Sequence, residues 1–527
     1  MYIRKRKVHS RGKDYTYLEL ARTVRKNGKV YQERLCSLGR LEELKGSNTI
    51  DRLIAGLSKV AKDEWVRAKA LKLEANWSKE YGMVILVEKM WQKLGLHQIV
   101  DELYRRSPIE VPVKEALLCM VTNRLVEPRS KLSTYKWLDM VYAPEWEKLE
   151  LSHLYRTLDF LCENIKEIEE ALFMKSRDLF SLGIDLVLFD TTSTYFEGKG
   201  PVGLAKLGYS RDKRPDLAQI VIGVLMTKEG IPIAHHVFPG NTADINAFRY
   251  ALKDVKGRFP LERVIIVADR GVVSEDLLKA LEGEGQDYIV GIPLRKWRVA
   301  DEILKQGGEY QRVAENLEVK EVWHGDKRYI LCYNPGQAER DHKERLSFVA
   351  HLETELKQGG LSRLAKRKGY GRYLNVVEKG KAEIDWDKVK QEECYDGRYL
   401  LRTSAALSPS EIALAYKGLW RIENAFRELK SNLEIRPCYH WTPSRVRGHI
   451  AMCFLALVIE TAVERMLRVN KLEASISEVL EIVEQIKAVR IEANGEAFLC
   501  RTDLPPLAGK VFAALRIRPP PKVLPLN

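Results

Sequence analysis

The chain has 527 residues, several times the usual domain size of about 150, so it holds more than one domain and at least one large core. Hydrophobic residues at 45% and charged residues at 30%, with 34 Gly and 20 Pro, exclude bulk disorder and collagen-like repeats. Lys and Arg outnumber Asp and Glu by 87 to 73, and the net +14 favours a polyanionic partner.

Residues 1–50 hold 13 of the basic and 5 of the acidic side chains, more than half of the surplus. There YTYLELARTV and VYQERLCSLGR alternate apolar and polar residues around Asn27-Gly28, the pattern of a β-hairpin, so a small basic, DNA-binding β unit is expected. Residues 51–183 change to helical spacing in VPVKEALLCMVTNRL, KLSTYKWLDMVY and LSHLYRTLDFLCENIKEIEEALFMKSRDLF, with a break at Glu127-Pro128. Helix, turn, helix is compatible with a helix-turn-helix for DNA end recognition, but helical hairpins packed only for stability are several times commoner.

Over 184–295 the pattern is α/β: DLVLFD, QIVIGVLMT, IPIAHHVF, RVIIVADRG and DYIVGIP read as strands, with helices at NAFRYALKDVKGRF and SEDLLKALEGEG. Three strands in a row, then helix, strand, helix and strand predict a mixed sheet. Residues 296–400 bring further strand-like pieces and the basic stretch LSRLAKRKGYGRY, and are expected to be a mostly β insertion. Helices return over 401–470, at 410–433 and 444–469, and 471–527 adds a helix and a second Asn-Gly hairpin at Asn494-Gly495, a region for assembly or DNA contact. The longest apolar run, Ile450–Ile459, falls short of the roughly 20 residues of a membrane span. With no secretory signal and no C-x2-C pair among the eight Cys, no membrane, a reducing cytoplasm and the nucleoid are the expected setting.

Asp190 and Asp269 each end an apolar strand, where a buried sheet meets solvent. Two such carboxylates can share divalent cations, or each can cap its own turn. Tyr416, Glu423 and Lys430 are spaced by seven in YKGLWRIENAFRELK, which on a single α-helix makes one polar stripe beside the core contacts Ile422, Phe426 and Leu429. The plainer alternative is a solvated face with Glu423 paired to Arg427.

Asp190 on a first strand, Asp269 after a fourth and Glu423 in this helix together resemble the DDE transposases of bacterial insertion sequences. More narrowly the chain resembles the IS-four superfamily, whose signature is Tyr-x2-Arg-x3-Glu-x6-Lys. The Glu423-to-Lys430 spacing matches, whereas the Arg position holds Leu419 and Arg421 lies two residues on. LVLFDTTSTYFEG, GYSRDKRPDLAQIVIGVLM, GIPIAHHVFPGNTAD and YHWTPSRVRGHIAMCFLAL carry the same resemblance, which spans 185–295 and 396–470. It implies an RNase H-like core and a catalytic and metal-binding triad of Asp190, Asp269 and Glu423 holding Mg²⁺, for which Mn²⁺ can substitute. It implies phosphate contacts from Tyr416, Arg421 and Lys430. It further implies cleavage of double-stranded DNA at the element's terminal repeats and strand transfer to target DNA, by a homodimer or larger synaptic assembly. A DNA-binding derivative without chemistry, or a nuclease for branched DNA, are the alternatives.

Arg211, Lys213 and Arg214 follow the first strand, and Arg363, Lys366, Arg367, Lys368 and Arg372 alternate with Tyr370 and Tyr373; both groups are candidates for DNA contact. Cys438, His440, His449 and Cys453 lack the tight pairing of a zinc site, and His235 and His236 alternate across a strand.

Overall fold

The computed structural model describes residues 1–10, 13–26, 29–46, 49–58, 73–180, 186–259, 264–357, 370–378, 381–436, 438–493 and 496–526. They form two compact units: Met1–Met83 with Met140–Tyr142 and Val479–Asn527, and Val84–Asp139 with Ala143–Glu478.

In the first unit β1 (Tyr2–Ser10), β2 (Lys13–Lys26) and β3 (Lys29–Arg40) form an antiparallel meander. The expected hairpin is β2–β3, closing at Lys26↔Lys29 around a turn that lies outside the described residues. β1 was not expected, because four consecutive charges, Arg4 to Lys7, break the alternation in YIRKRKVHS; it pairs in register from Tyr2↔Ala21 to Ser10↔Lys13. Glu19, 2% exposed, lies under three guanidiniums, with Arg4, Arg6 and Arg34 at 2.9, 3.3 and 3.6 Å. A second sheet runs β18 (Val523–Leu526), β17 (Glu496–Arg501), β16 (Lys487–Ala493), β4 (Leu73–Glu80). The expected C-terminal hairpin is therefore present as β16–β17, but it shares a unit with the chain start, and β4 lies in a stretch expected to be helical.

In the second unit the helices Val113–Val126 and Leu151–Phe180 pack on Pro443–Val469, and Leu96–Arg106 and Lys131–Trp137 pack in turn against those two. The break at Glu127-Pro128 is real: proline cannot continue a helix, and Ser130 caps the next one by accepting from Ser133 N at 3.2 Å. No helix among the described residues is long and apolar enough to cross a membrane. Gly448 lets Pro443–Val469 touch Leu151–Phe180, since a Cβ there would sit 2.0 Å from Leu158 O.

Against this bundle stands a nine-stranded sheet in the order β10-β11-β12-β15-β9-β8-β5-β6-β7. β5 (Leu186–Tyr195), β6 (Gln219–Thr227), β7 (Pro232–Pro239), β8 (Ile265–Ala268) and β9 (Tyr288–Ile292) are the five strands expected from the apolar runs. β5, β8 and β9 are parallel while β6 runs antiparallel between β5 and β7, the RNase H-like arrangement. Helix Asp244–Arg258 covers the sheet, with Phe248 edge-on to Phe189 at 5.4 Å. Burying each such ring contributes about 1.5–3 kcal/mol.

Residues 296–400 depart from the expected mostly β insertion. Strands β10 (Gln311–Ala314), β11 (Leu317–His324), β12 (Lys327–Tyr333) and β15 (Arg398–Thr403) prolong the central sheet antiparallel from β9. The rest contains the 23-residue helix Pro335–Lys357 and the hairpin β13 (Leu374–Glu378) and β14 (Lys381–Ile384), around a small core of Val349, Leu352, Tyr373 and Val389. That helix carries charge along most of its length, which hides its period.

Gly448→Val is expected to lower the stability of the second unit by about 1–3 kcal/mol through overpacking. Gly509→Ala, where nothing lies within 4 Å of the new Cβ, is expected to change stability by under about 1 kcal/mol. Urea midpoints of the two variants check this, and equal midpoints would refute the close contact.

Candidate active site

The pairing Phe189↔Ala268 makes Asp190 and Asp269 the next residues on neighbouring parallel strands. β8 stops at Ala268, and Asp269 turns outward in extended backbone ahead of a short turn, Arg270–Val272. β5 runs on to Tyr195 against β6, which leaves Asp190 half-buried within the sheet. Burial, with some repulsion from Asp269 and Asp244, pushes the Asp190 carboxyl up to about 6. The Thr191 N–H, which donates to Asp190 Oδ1 at 2.7 Å, and the Arg211 charge oppose that shift.

The segment expected to be one helix is two. Pro409–Lys417 starts from a capping box of Ser408 and Glu411, and Trp420–Ser431 starts after a tightened turn at Gly418-Leu419. There Leu419 N bonds Tyr416 O and Arg421 N bonds Gly418 O, three-residue steps that rotate the second helix relative to the first. Tyr416, Glu423 and Lys430 therefore share no heptad stripe. Tyr416 and Glu423 nevertheless line one cavity together with Asp269, and the second helix packs across β5 and β6. The Tyr416 hydroxyl donates to Asp269 Oδ1 at 2.7 Å, while its ring stacks on Tyr399 at 5.8 Å. Burial and the Asp269 charge hold this phenol well above its usual range. Gly291 on β9 makes room for it: a Cβ there would lie 2.2 Å from Tyr416 Oη.

Lys430 lies at the far end of its helix and donates to Asp212 Oδ1 at 2.8 Å. Burial holds its ammonium below the usual range, against the opposing pull of Asp212. Asp212 also takes Arg436, so it joins the second helix to the loop after β5. Arg421 turns away from the three acids into a separate cavity with Glu229, Glu428 and Glu460, its guanidinium 5.2 Å from the Trp420 ring centroid. Leu419, at the signature Arg position, is buried.

Arg211 donates to Thr191 Oγ1 at 2.7 Å and to Asp244 Oδ1 at 2.8 Å. Thr191 Oγ1 in turn donates to Asp244 Oδ1 at 2.7 Å, closing a triangle directly behind Asp190. Arg214 is paired with Asp216 at 2.8 Å, whereas Lys213, at φ +57°, is exposed. Lys366, Arg367, Lys368 and Arg363 lie outside the described residues. Asp244, Asp212 and Gly291 are not marked by any sequence pattern; only the bulky Tyr416, more than a hundred residues later, gives Gly291 its meaning.

Three carboxylates are a donor set for a hard divalent cation, and a positive charge between Asp190 and Asp269 would relieve their repulsion. Among the described residues no three His, Cys, Asp or Glu side chains are gathered as one ready-made metal cage, and Tyr416 holds one Asp269 oxygen.

Residues 182–459, more than half of the chain, match the family described as Transposase DDE domain. Residues 3–69 match the N-terminal domain of IS1634 family transposases. Among solved structures the chain is similar to a piggyBac transposase synaptic complex with hairpin DNA, determined by cryo-EM, at 10% identity over 76% of this chain and 78% of that one, with a TM-score of 0.36. No curated protein matches the chain.

Because its folded carboxyl titrates near 6 instead of 3.8, Asp190 favours the folded state below about pH 4, and this contribution is lost as pH rises through 6. In metal-free buffer Asp190→Asn is expected to gain stability over the parent between pH 4 and 7, by at most about 3 kcal/mol. Parallel melting curves for the two proteins across that range would exclude the buried charge.

Proposed function

The chain belongs to the transposases of the DDE-domain family, and we propose that Asp190, Asp269 and Glu423 are the acids through which it acts on DNA. Its activity is DNA transposition: metal-dependent cleavage of strands at the ends of an insertion sequence and their transfer to target DNA. The observation that carries the assignment is the placement of Asp190 on β5 beside Asp269 at the end of the adjacent parallel β8, with Glu423 lining the same cavity as Asp269.

Hard carboxylate oxygens suit Mg²⁺, with Mn²⁺ as a substitute. When bound, such ions activate a water or a DNA 3′-hydroxyl and stabilise the leaving oxygen in an in-line displacement. The chain's own residues set the geometry around them. The Arg211–Thr191–Asp244 triangle fixes the backbone that follows Asp190. Tyr416 orients Asp269 through its hydroxyl. Lys430, through Asp212, ties the helix of Glu423 to the loop bearing Arg211. Lys213 and Arg214 on that loop then meet the DNA backbone, whereas Arg421, in its own cavity with Glu229, Glu428 and Glu460, takes no part in that contact. Holding two element ends at once calls for a homodimer or larger assembly, working on the nucleoid where the substrate is.

Cleavage of a labelled duplex carrying the DNA that flanks the coding frame, in Mg²⁺ or Mn²⁺, tests the triad. Asp190→Asn, Asp269→Asn and Glu423→Gln are each expected to lower the rate on the order of a thousandfold or more while end binding persists, since each removes several kcal/mol of charge stabilisation. A variant that cuts like the parent loses its place in the triad. Gly291→Ala, which displaces the Tyr416 hydroxyl, is expected to slow cleavage by about tenfold to a hundredfold. An unchanged rate would remove Tyr416 from positioning.

A further inference from the structure

A cavity of about 850 Å³ opens in the second unit between the Glu127–Lys131 turn and the start of helix Pro443–Val469. Its floor holds two basic side chains that pair with no carboxylate among the described residues, while the exposed Glu434 lies on the rim. Arg124, 4% exposed, gives its guanidinium to the carbonyls of Leu433, Glu434 and Arg129 at 3.2–3.3 Å and leaves Nε buried without a partner. Lys131, 3% exposed, reaches only the Met452 sulfur among the described residues, 3.4 Å from Nζ. Burial and the neighbouring Arg124 push the Lys131 ammonium down to about 7, a cost that an anion in the cavity would relieve. The unshared N–H groups of Pro443–Val469, whose Thr442 makes no side-chain cap, add positive potential at the same place. The rim cations differ, because Arg129, Arg436 and Arg445 are paired with Glu127, Asp212 and Asp159. Among the described residues Cys438, His440, His449 and Cys453 are not gathered into a metal-holding group.

Beside this floor stand two aromatic rings with little to cover them. Tyr439 is 62% and Trp441 67% exposed. Their segment pairs with the end of β5 through Phe196↔Cys438, six residues beyond Asp190, or roughly 20 Å of strand. A duplex cannot reach side chains this recessed, and its paired bases offer no face to a ring. An unpaired strand can do both, with phosphate inward and bases stacked.

Resting on the transposase reading above, we propose that this cavity binds single-stranded DNA a few nucleotides from the scissile bond, Lys131 and Arg124 taking a backbone phosphate and Trp441 and Tyr439 stacking on the adjoining bases. The site holds a strand that has separated from its complement next to the point of cleavage.

The test compares the full chain with Trp441→Ala and Lys131→Met, by fluorescence anisotropy, on a short labelled oligothymidylate and on a labelled duplex. Trp441→Ala is expected to weaken oligothymidylate binding about tenfold, the size of one stacked base, and to leave duplex affinity within about twofold. Lys131→Met is expected to weaken it similarly and to reduce the salt slope by about 0.7, one single-strand phosphate contact. Thermal melting verifies that each variant is folded, and Trp441, being exposed, keeps the test valid if Lys131→Met does not fold. Single-strand affinity unchanged in Trp441→Ala, or equal losses on both DNAs, overturns the proposal. A parent chain that binds and cuts duplex but ignores oligothymidylate also overturns it while leaving the transposase reading intact. A parent that binds neither DNA takes down the transposase reading and the proposal with it.

Discussion

The site depends on one constraint, the parallel pairing of β5 with β8, which forces two carboxylates into neighbouring positions. Like charges so placed repel, and β5 adds to the cost by carrying Asp190 half-buried. The surroundings answer with donors aimed at the acids or at the backbone beside them: the Thr191 N–H on Asp190 and the Tyr416 hydroxyl on Asp269, with Arg211 bonded to Thr191 behind them. None of these brings a full positive charge into direct contact with either acid. The pair is thus held in shape but left short of cation, the arrangement that the proposed divalent-ion site would need.

The sheet beyond β9 serves the same end. β15 pairs with β9 from Leu400↔Ile292 to Thr403↔Ile289, and Gly291 lies within that pairing. Tyr399 from β15 then stacks on Tyr416, so the added strands form the wall against which the phenol is set. On the opposite flank Asp212 gathers Lys430 and Arg436. Gly208 and Gly240 allow that loop to lie against the sheet, where Gln219 Nε2 bonds Tyr209 O and Gly240 O at 2.9 and 3.0 Å.

What the sequence disclosed was what depends on local pattern. Short apolar runs ending in Asp190 and Asp269 located the core strands, because buried parallel strands need unbroken hydrophobicity. Pro128 marked the helix break for an equally local reason. Non-local pairing stayed hidden: nothing in LEANWSKE points to a partner some four hundred residues later, and EVKEVW reads as a strand without revealing which sheet it joins. The seven-residue spacing of Tyr416, Glu423 and Lys430 misled on geometry, since the turn at Gly418-Leu419 contains no proline to announce it. The same turn sends Arg421 away from the acids, so its closeness in sequence to the missing signature position does not make it a substitute.

The second sheet of the first unit joins Leu73–Glu80 to Lys487–Ala493, which ties early chain to late chain. During synthesis at about 5–20 residues per second, β4 waits tens of seconds for its partner. The second unit has by then been fully translated. For that interval β4 is an unpaired edge, open to pairing with the same segment of another nascent chain. The order of translation therefore separates the two units in time: the catalytic sheet can close first, and the unit bearing the basic meander is completed only when the last strands leave the ribosome.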